Sequence, residues 1–155
     1  ENLSKVTDLT SLSEVVNLSL GGVDVSDVTL PVLQSRHSLT FSGVKKLTSL
    51  LSRHSEDLCK IHALTIDSCT DLKALTHHAL ATIPHVSVSE CPSLTDISGL
   101  GRNRSVRIKS CQKLRDVRAL SDVAEVTIND CPVTDYLPLR HVPRLKILHS
   151  VRIKS

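Results

Sequence analysis

The chain has 155 residues, of which 40% are hydrophobic and 23% charged, and its net charge is +3 with histidine neutral. This is the composition of one folded domain with a substantial core, and it excludes a disordered polymer. The charge is too small to imply nucleic-acid binding by itself, and no apolar run approaches the roughly 18 residues that cross a membrane.

The opening residues Glu1-Asn2-Leu3-Ser4-Lys5 lack the basic and apolar regions of a signal peptide. The chain has no methionine, even at position 1, so it is expected to be an excerpt of something longer. Phe41 and Tyr136 are its two aromatic residues. A core with so few rings must be filled by Leu, Ile and Val, which stack well in identical layers.

Taken in chain order, residues 1–15 read as the back half of a repeat, because Val6-Thr7-Asp8-Leu9-Thr10-Ser11-Leu12 parallels Leu94-Thr95-Asp96-Ile97-Ser98-Gly99-Leu100. Seven strands with alternating apolar residues follow, in repeats that start near residues 16, 37, 62, 84, 104, 124 and 143. Their apolar pairs are Leu18/Leu20, Leu39/Phe41, Leu64/Ile66, Val86/Val88, Val106/Ile108, Val126/Ile128 and Leu145/Ile147. A leucine stands six residues before each of them: Leu12, Leu33, Leu58, Leu80, Leu100, Leu120 and Leu139. Three places after that leucine most repeats carry a further apolar residue: Val15, Ile61, Ile83, Val123 or Val142.

After the strand comes Val23, Val44, Cys69, Cys91, Cys111, Cys131 or Ser150, and then an apolar residue such as Leu47, Leu72, Leu94 or Leu114. Repeats one and six are one residue shorter there, which brings Val25 and Val133 forward. Successive strands start 21, 25, 22, 20, 20 and 19 residues apart. The longest interval holds an insertion, Ser52-Arg53-His54-Ser55-Glu56-Asp57, whose polarity predicts an outer loop. A fixed frame at such intervals is the signature of a solenoid.

The frame L-x-x-h-x-x-h-x-h-x-x-C-x-x-h, where h is apolar, resembles the leucine-rich repeat over essentially the whole chain, 1–155, read as a single domain. Leu94-Thr95-Asp96-Ile97 and Val133-Thr134-Asp135 are similar to the cysteine-bearing, irregular repeats common in F-box-type and protozoan proteins. The resemblance implies an α/β-type solenoid, a horseshoe whose concave face is a parallel sheet of about seven short strands. Neighbouring strands about 4.8 Å apart would span roughly 29 Å. The outer segments carry Pro84, Pro132, Pro138 and Pro143, so loops and 3₁₀ turns are expected there. The apolar frame runs on through Ser150-Val151-Arg152-Ile153-Lys154-Ser155, and both ends are expected to be covered by further repeats or another subunit.

Cys69, Cys91, Cys111 and Cys131 would stack one above another, a spacing open to a metal or a disulfide. Valine and serine at the same place in other repeats favour a structural role, and the resemblance implies that this residue bonds to the turn backbone. With Cys59, five unpaired cysteines point to a reducing compartment. The eight histidines follow no metal-ligand spacing and are expected at the surface. Neither a G-x-S-x-G elbow nor a phosphate-binding glycine loop is present, so neither an enzyme, a cofactor nor a metal is expected.

The working surface should be the strand positions that point away from the core. Three columns result: Asn17, Ser38, Ala63, His85, Ser105, Glu125, Arg144; Ser19, Thr40, Thr65, Ser87, Arg107, Thr127, Lys146; and Gly21, Ser42, Asp67, Ser89, Lys109, Asn129, Leu148. The candidate partner-binding residues are His85, Ser87, Ser89, Arg107, Lys109, Thr127, Asn129, Arg144 and Lys146.

The wider segment 102–118 holds Arg102, Arg104, Arg107, Lys109, Lys113, Arg115 and Arg118 against Asp116. It reads either as a docking patch for an acidic protein segment or a phosphate backbone, or, more commonly, as a solvated surface pointing in several directions. The function expected is a non-catalytic protein-interaction scaffold, a structural or adaptor subunit of a larger intracellular, cytoplasmic assembly without membrane contact. The alternatives are an RNA- or ribonucleoprotein-associated subunit using residues 102–118, and the substrate-recognition arm of an enzyme whose catalytic domain lies elsewhere.

Overall fold

A computed structural model describes residues 8–149. The expectations placed on residues 1–7, on Ser150 and on Ile153 lie outside these residues. Seven five-residue strands form one parallel sheet in sequence order: β1 (Asn17–Gly21), β2 (Ser38–Ser42), β3 (Ala63–Asp67), β4 (His85–Ser89), β5 (Ser105–Lys109), β6 (Glu125–Asn129) and β7 (Arg144–Leu148). Every pairing is parallel and in register, so Leu18, Leu39, Leu64, Val86, Val106, Val126 and Leu145 form one row. Alternate side chains of β2 to β6 are buried and the intervening ones are not. Parallel sheets are commonly covered on both faces; this alternation leaves one face open to solvent.

The covered face packs in layers. In the unit built around β4, Leu80, Ile83, Val86, Val88, Cys91, Leu94 and Ile97 are all buried. Each fully buried Leu, Ile or Val side chain stabilises the fold by about 1.5–3 kcal/mol. Val25 and Val133, the two residues brought forward in the shorter units, are buried as the frame requires. On β1 and β7 the inward residues Leu18, Leu20, Leu145 and Ile147 are only half-buried, and Val15 is 38% exposed. Among the described residues both are edge strands with a neighbour on one side.

Most crossovers are short, with 3₁₀ turns at Thr10–Leu12, His78–Thr82, Arg118–Leu120 and Leu137–Leu139. Asp8, Asp116 and Asp135 each lead into such a turn by accepting the backbone N–H two residues on, at 3.0 Å. Asp96 does the same for Ser98 at 2.8 Å.

The insertion departs from the loop expected at 52–57. Residues Leu47–Arg53 form a helix, α1, and Ser55–Leu58 a short second one, α2. The cause lies in the flanking leucines: Leu47, Leu50 and Leu51 are three and four residues apart, which puts them on one helical face, and all are buried together with Leu58. The polar residues of 52–57 are the outer side of those turns. No helix among the described residues is long and apolar enough to cross a membrane.

Sequence reasoning missed how each strand ends. The first residue after β1 to β6 has positive φ: Gly22 (66°), Gly43 (61°), Ser68 (56°), Glu90 (51°), Ser110 (53°) and Asp130 (55°). Each donates its N–H to the carbonyl of the last residue of the next strand, at 2.8–3.0 Å. A non-glycine residue costs about 1–2 kcal/mol in this left-handed conformation. The residue that follows is valine after the two glycines and cysteine after the four others. Those thiols donate back to the carbonyl ending their own strand: Cys69 to Asp67 at 3.5 Å, Cys91 to Ser89 at 3.3 Å, Cys111 to Lys109 at 3.5 Å and Cys131 to Asn129 at 3.4 Å. The cysteine therefore adds a hydrogen bond at just those turns that carry backbone strain.

Candidate functional site

The nine residues singled out from the sequence all fall on the open face of β4 to β7. Register alignment sets them in three rows: His85–Ser105–Glu125–Arg144, Ser87–Arg107–Thr127–Lys146 and Ser89–Lys109–Asn129–Leu148. Adjacent rows lie about 6.6 Å apart along a strand, and Arg107 and Lys146, two strands apart, are separated by about 10 Å. Arg107, Lys109, Arg144 and Lys146 are exposed, while the uncharged members between them are half-buried. Glu125 sits among these cations and lies 3.9 Å from Arg144, its register partner.

On β1 to β4 the same face carries mostly hydroxyls and one carboxylate, Asp67, which accepts a 2.7 Å hydrogen bond from Ser89. The face thus carries little charge over its first half, with Asp67 as its carboxylate, and is cationic over its second.

The basic segment 102–118 is not one patch. Its seven cations are all exposed, but only Arg107 and Lys109 lie on the strand face. Arg118 is held by Asp116, whose two carboxylate oxygens accept from the guanidinium at 2.6–3.0 Å. That side-chain bond, helped by the Arg118 N–H, lowers the Asp116 pKa to about 2. The row of carboxylates near it is similarly occupied by its own turn backbone.

Two buried polar side chains were not anticipated. His37, expected at the surface with the other histidines, is 1% exposed. Its Nδ1 accepts from the Gln34 N–H at 2.8 Å, so Nε2 carries the proton and donates to the Ser13 carbonyl at 3.0 Å. A buried imidazole is tolerated because both ring nitrogens are satisfied. Asn103 is 2% exposed and replaces the apolar residue three places after Leu100. Its amide donates to the Leu80 and Ile83 carbonyls at 2.8 and 2.7 Å, and its oxygen accepts from Gly101 N–H at 3.1 Å. Both residues clamp one unit to the unit before it. The available signal was a polar residue at or beside a position where the frame calls for an apolar one.

The remaining clusters do local work. His77 and His78 stack with centroids 4.9 Å apart and line a cleft of about 460 Å3 with Cys59 and Glu56. The Cys59 thiol donates to the Glu56 carbonyl at 2.8 Å, and His77 accepts from Ala79 N–H at 3.3 Å. In the buried ladder, the hydrogen-bonded thiol of Cys69, together with burial, raises the Cys91 pKa, and Cys131 with burial does the same to Cys111. The same contacts lower the pKa of their partners, Cys69 and Cys131, to about 7, so it is burial and not protonation that shields the ladder as a whole. Among the described residues no group of three or more His, Cys, Asp or Glu side chains is arranged to hold a metal ion.

Fold and face together define an all-parallel, seven-stranded sheet protein with one open, unevenly charged face. No protein-family model matches the chain, and neither a curated protein nor a solved structure does.

Proposed function

We propose that this chain is a leucine-rich-repeat solenoid acting as a non-catalytic protein-binding module, an adaptor or structural subunit of an intracellular assembly. The horseshoe reading is supported by the leucine frame, by the in-register parallel sheet and by crossovers of 3₁₀ turns. One observation carries the binding reading: Arg107, Lys109, Arg144 and Lys146 stand exposed on one open face with Glu125 as the acid in their rows. A face so biased attracts an acidic surface and orients it. Binding spread over equivalent positions of successive repeats is what a solenoid offers.

The test is affinity capture with the wild type and with the double charge reversal Arg107→Glu, Lys109→Glu, followed by mass spectrometry. Partners enriched in acidic segments should be retained by the wild type, released by moderate salt and lost from the variant. An identical set of partners on both would refute the docking face. Recovery of RNA, with a steep salt dependence, would replace a protein partner with a phosphate backbone.

A further inference from the structure

Arg107 is shared by two depressions on the open face. One, of about 220 Å3 over β3 to β5, is lined by Thr65, His85, Ser87, Ser105 and Arg107. The other, of about 500 Å3 over β5 to β7, is lined by Arg107, Thr127, Arg144, Lys146 and Glu125. The smaller one has no carboxylate in its lining. Three hydroxyls, an imidazole and a guanidinium converge there, and every one of them can donate a hydrogen bond. None of the five ion pairs among the described residues uses Arg107. Its planar fork is flanked in register by the Ser87 and Thr127 hydroxyls.

A lone carboxylate offers two oxygens in one plane, which the fork alone would satisfy. A phosphoryl group offers three oxygens and nearly two charges, enough to engage the fork and the hydroxyls beside it.

We propose that the open face receives a phosphorylated acidic segment of a partner protein, its phosphoryl group seated on Arg107, Ser87 and Thr65 and a flanking carboxylate on Lys146 or Arg144. This rests on the protein-binding reading above and names the chemistry of that partner. The spacing sets a register. From the β4–β5 hollow to β7 is about 10–14 Å, and an extended chain advances about 3.3 Å per residue. The acidic residue therefore falls three or four positions from the phosphorylated one in a segment that crosses the strands. RNA fits the face less well: Phe41 is buried and Tyr136 lies in a crossover, which leaves the half-buried His85 imidazole as the ring beside Arg107 on which a base could stack.

The experiment uses the full chain and two degenerate peptide libraries, one centred on phosphoserine and one on serine, with a short oligouridylate as a third probe. The wild type should retain the phosphorylated library about tenfold better, with Asp or Glu enriched three or four residues from the centre. Arg107→Lys keeps the charge and loses the fork, so it should abolish the phosphate preference while preserving retention of acidic peptides. Lys146→Gln should erase the flanking enrichment and leave the phosphate preference. Equal retention of the two libraries would overturn the phosphoryl site while leaving an acidic-peptide face standing. Retention of oligouridylate alone would overturn both. Arg107 and Lys146 are exposed, and unchanged far-UV circular dichroism confirms that the variants fold.

Discussion

Asn103 gives the sharpest test of how neighbouring units are joined. Truncation to alanine removes both amide donors and the oxygen that accepts from Gly101. The Leu80 carbonyl keeps a second partner, the Ile83 N–H at 3.4 Å. The Ile83 carbonyl and the Gly101 N–H lose the partner that Asn103 supplies. Each buried group left unpaired costs about 1–3 kcal/mol; with the Ile83 carbonyl buried and the Gly101 N–H part-buried, Asn103→Ala should destabilise the fold by about 2–4 kcal/mol. With a urea dependence of about 2 kcal/mol per M, a loss of about 3 kcal/mol lowers the unfolding midpoint by about 1.5 M. Far-UV circular dichroism is the suitable probe, because the chain has no tryptophan.

The decisive comparison is Asn103→Leu, which restores the apolar residue the frame calls for. If the hydrogen bonds matter, leucine fails to rescue. A leucine variant as stable as the wild type would refute the reasoning and make position 103 an ordinary core site. Asn103→Asp adds a sign test. A carboxylate facing two carbonyls is favoured only when protonated, so its folded pKa lies above its unfolded value. Its stability is then retained below about pH 4, the unfolded pKa, and is lost as pH rises through the raised folded value.

Two further outcomes concern the strand-ending turns and the cysteine ladder. Glu90→Gly should raise stability by about 0.5–1 kcal/mol, since it relieves a left-handed residue at some entropic cost, and Gly22→Ala should lower it by a similar amount. A methyl group at Gly22 meets no atom within 4 Å, so that change isolates the backbone effect; urea midpoints of opposite sign are the expected reading. Of the five thiols, only Cys59 is not fully buried, and a chromogenic disulfide reagent should titrate one thiol in the native protein and five in denaturant. Rapid native reaction of a second cysteine would contradict the closed ladder.

The parts of the fold that the sequence made legible are those governed by a period. Alternation of apolar residues at two-residue spacing located all seven strands and the side of each that faces the core, because one register serves the whole sheet. The insertion was misread for a related reason. Its polar run alone reads as a loop, while the signal for a helix lies in Leu47, Leu50, Leu51 and Leu58. Asn103 and His37 were missed because an aperiodic polar residue looks like noise until its backbone partners are known. The left-handed residue after each strand left a subtler trace, glycine before valine and a non-glycine residue before cysteine.

That trace bears on the open face as well. The left-handed turn holds each strand end by a backbone bond to the next, whether glycine, serine, glutamate or aspartate occupies it. Backbone register is therefore independent of the side chains that point outward from the strands. Ser87, Arg107, Thr127 and Lys146 occupy one straight row although they share neither size nor charge. Substitutions on this face should change affinity without moving their neighbours, because every side chain projects from a backbone fixed by bonds it does not make. The change from hydroxyls on β1 to β4 to cations on β5 and β7 is accordingly not required by the strand pairing. For the same reason the effects of Arg107 and Lys146 on binding should be close to additive: their strands are separated by β6, and neither side chain enters any of the ion pairs among the described residues.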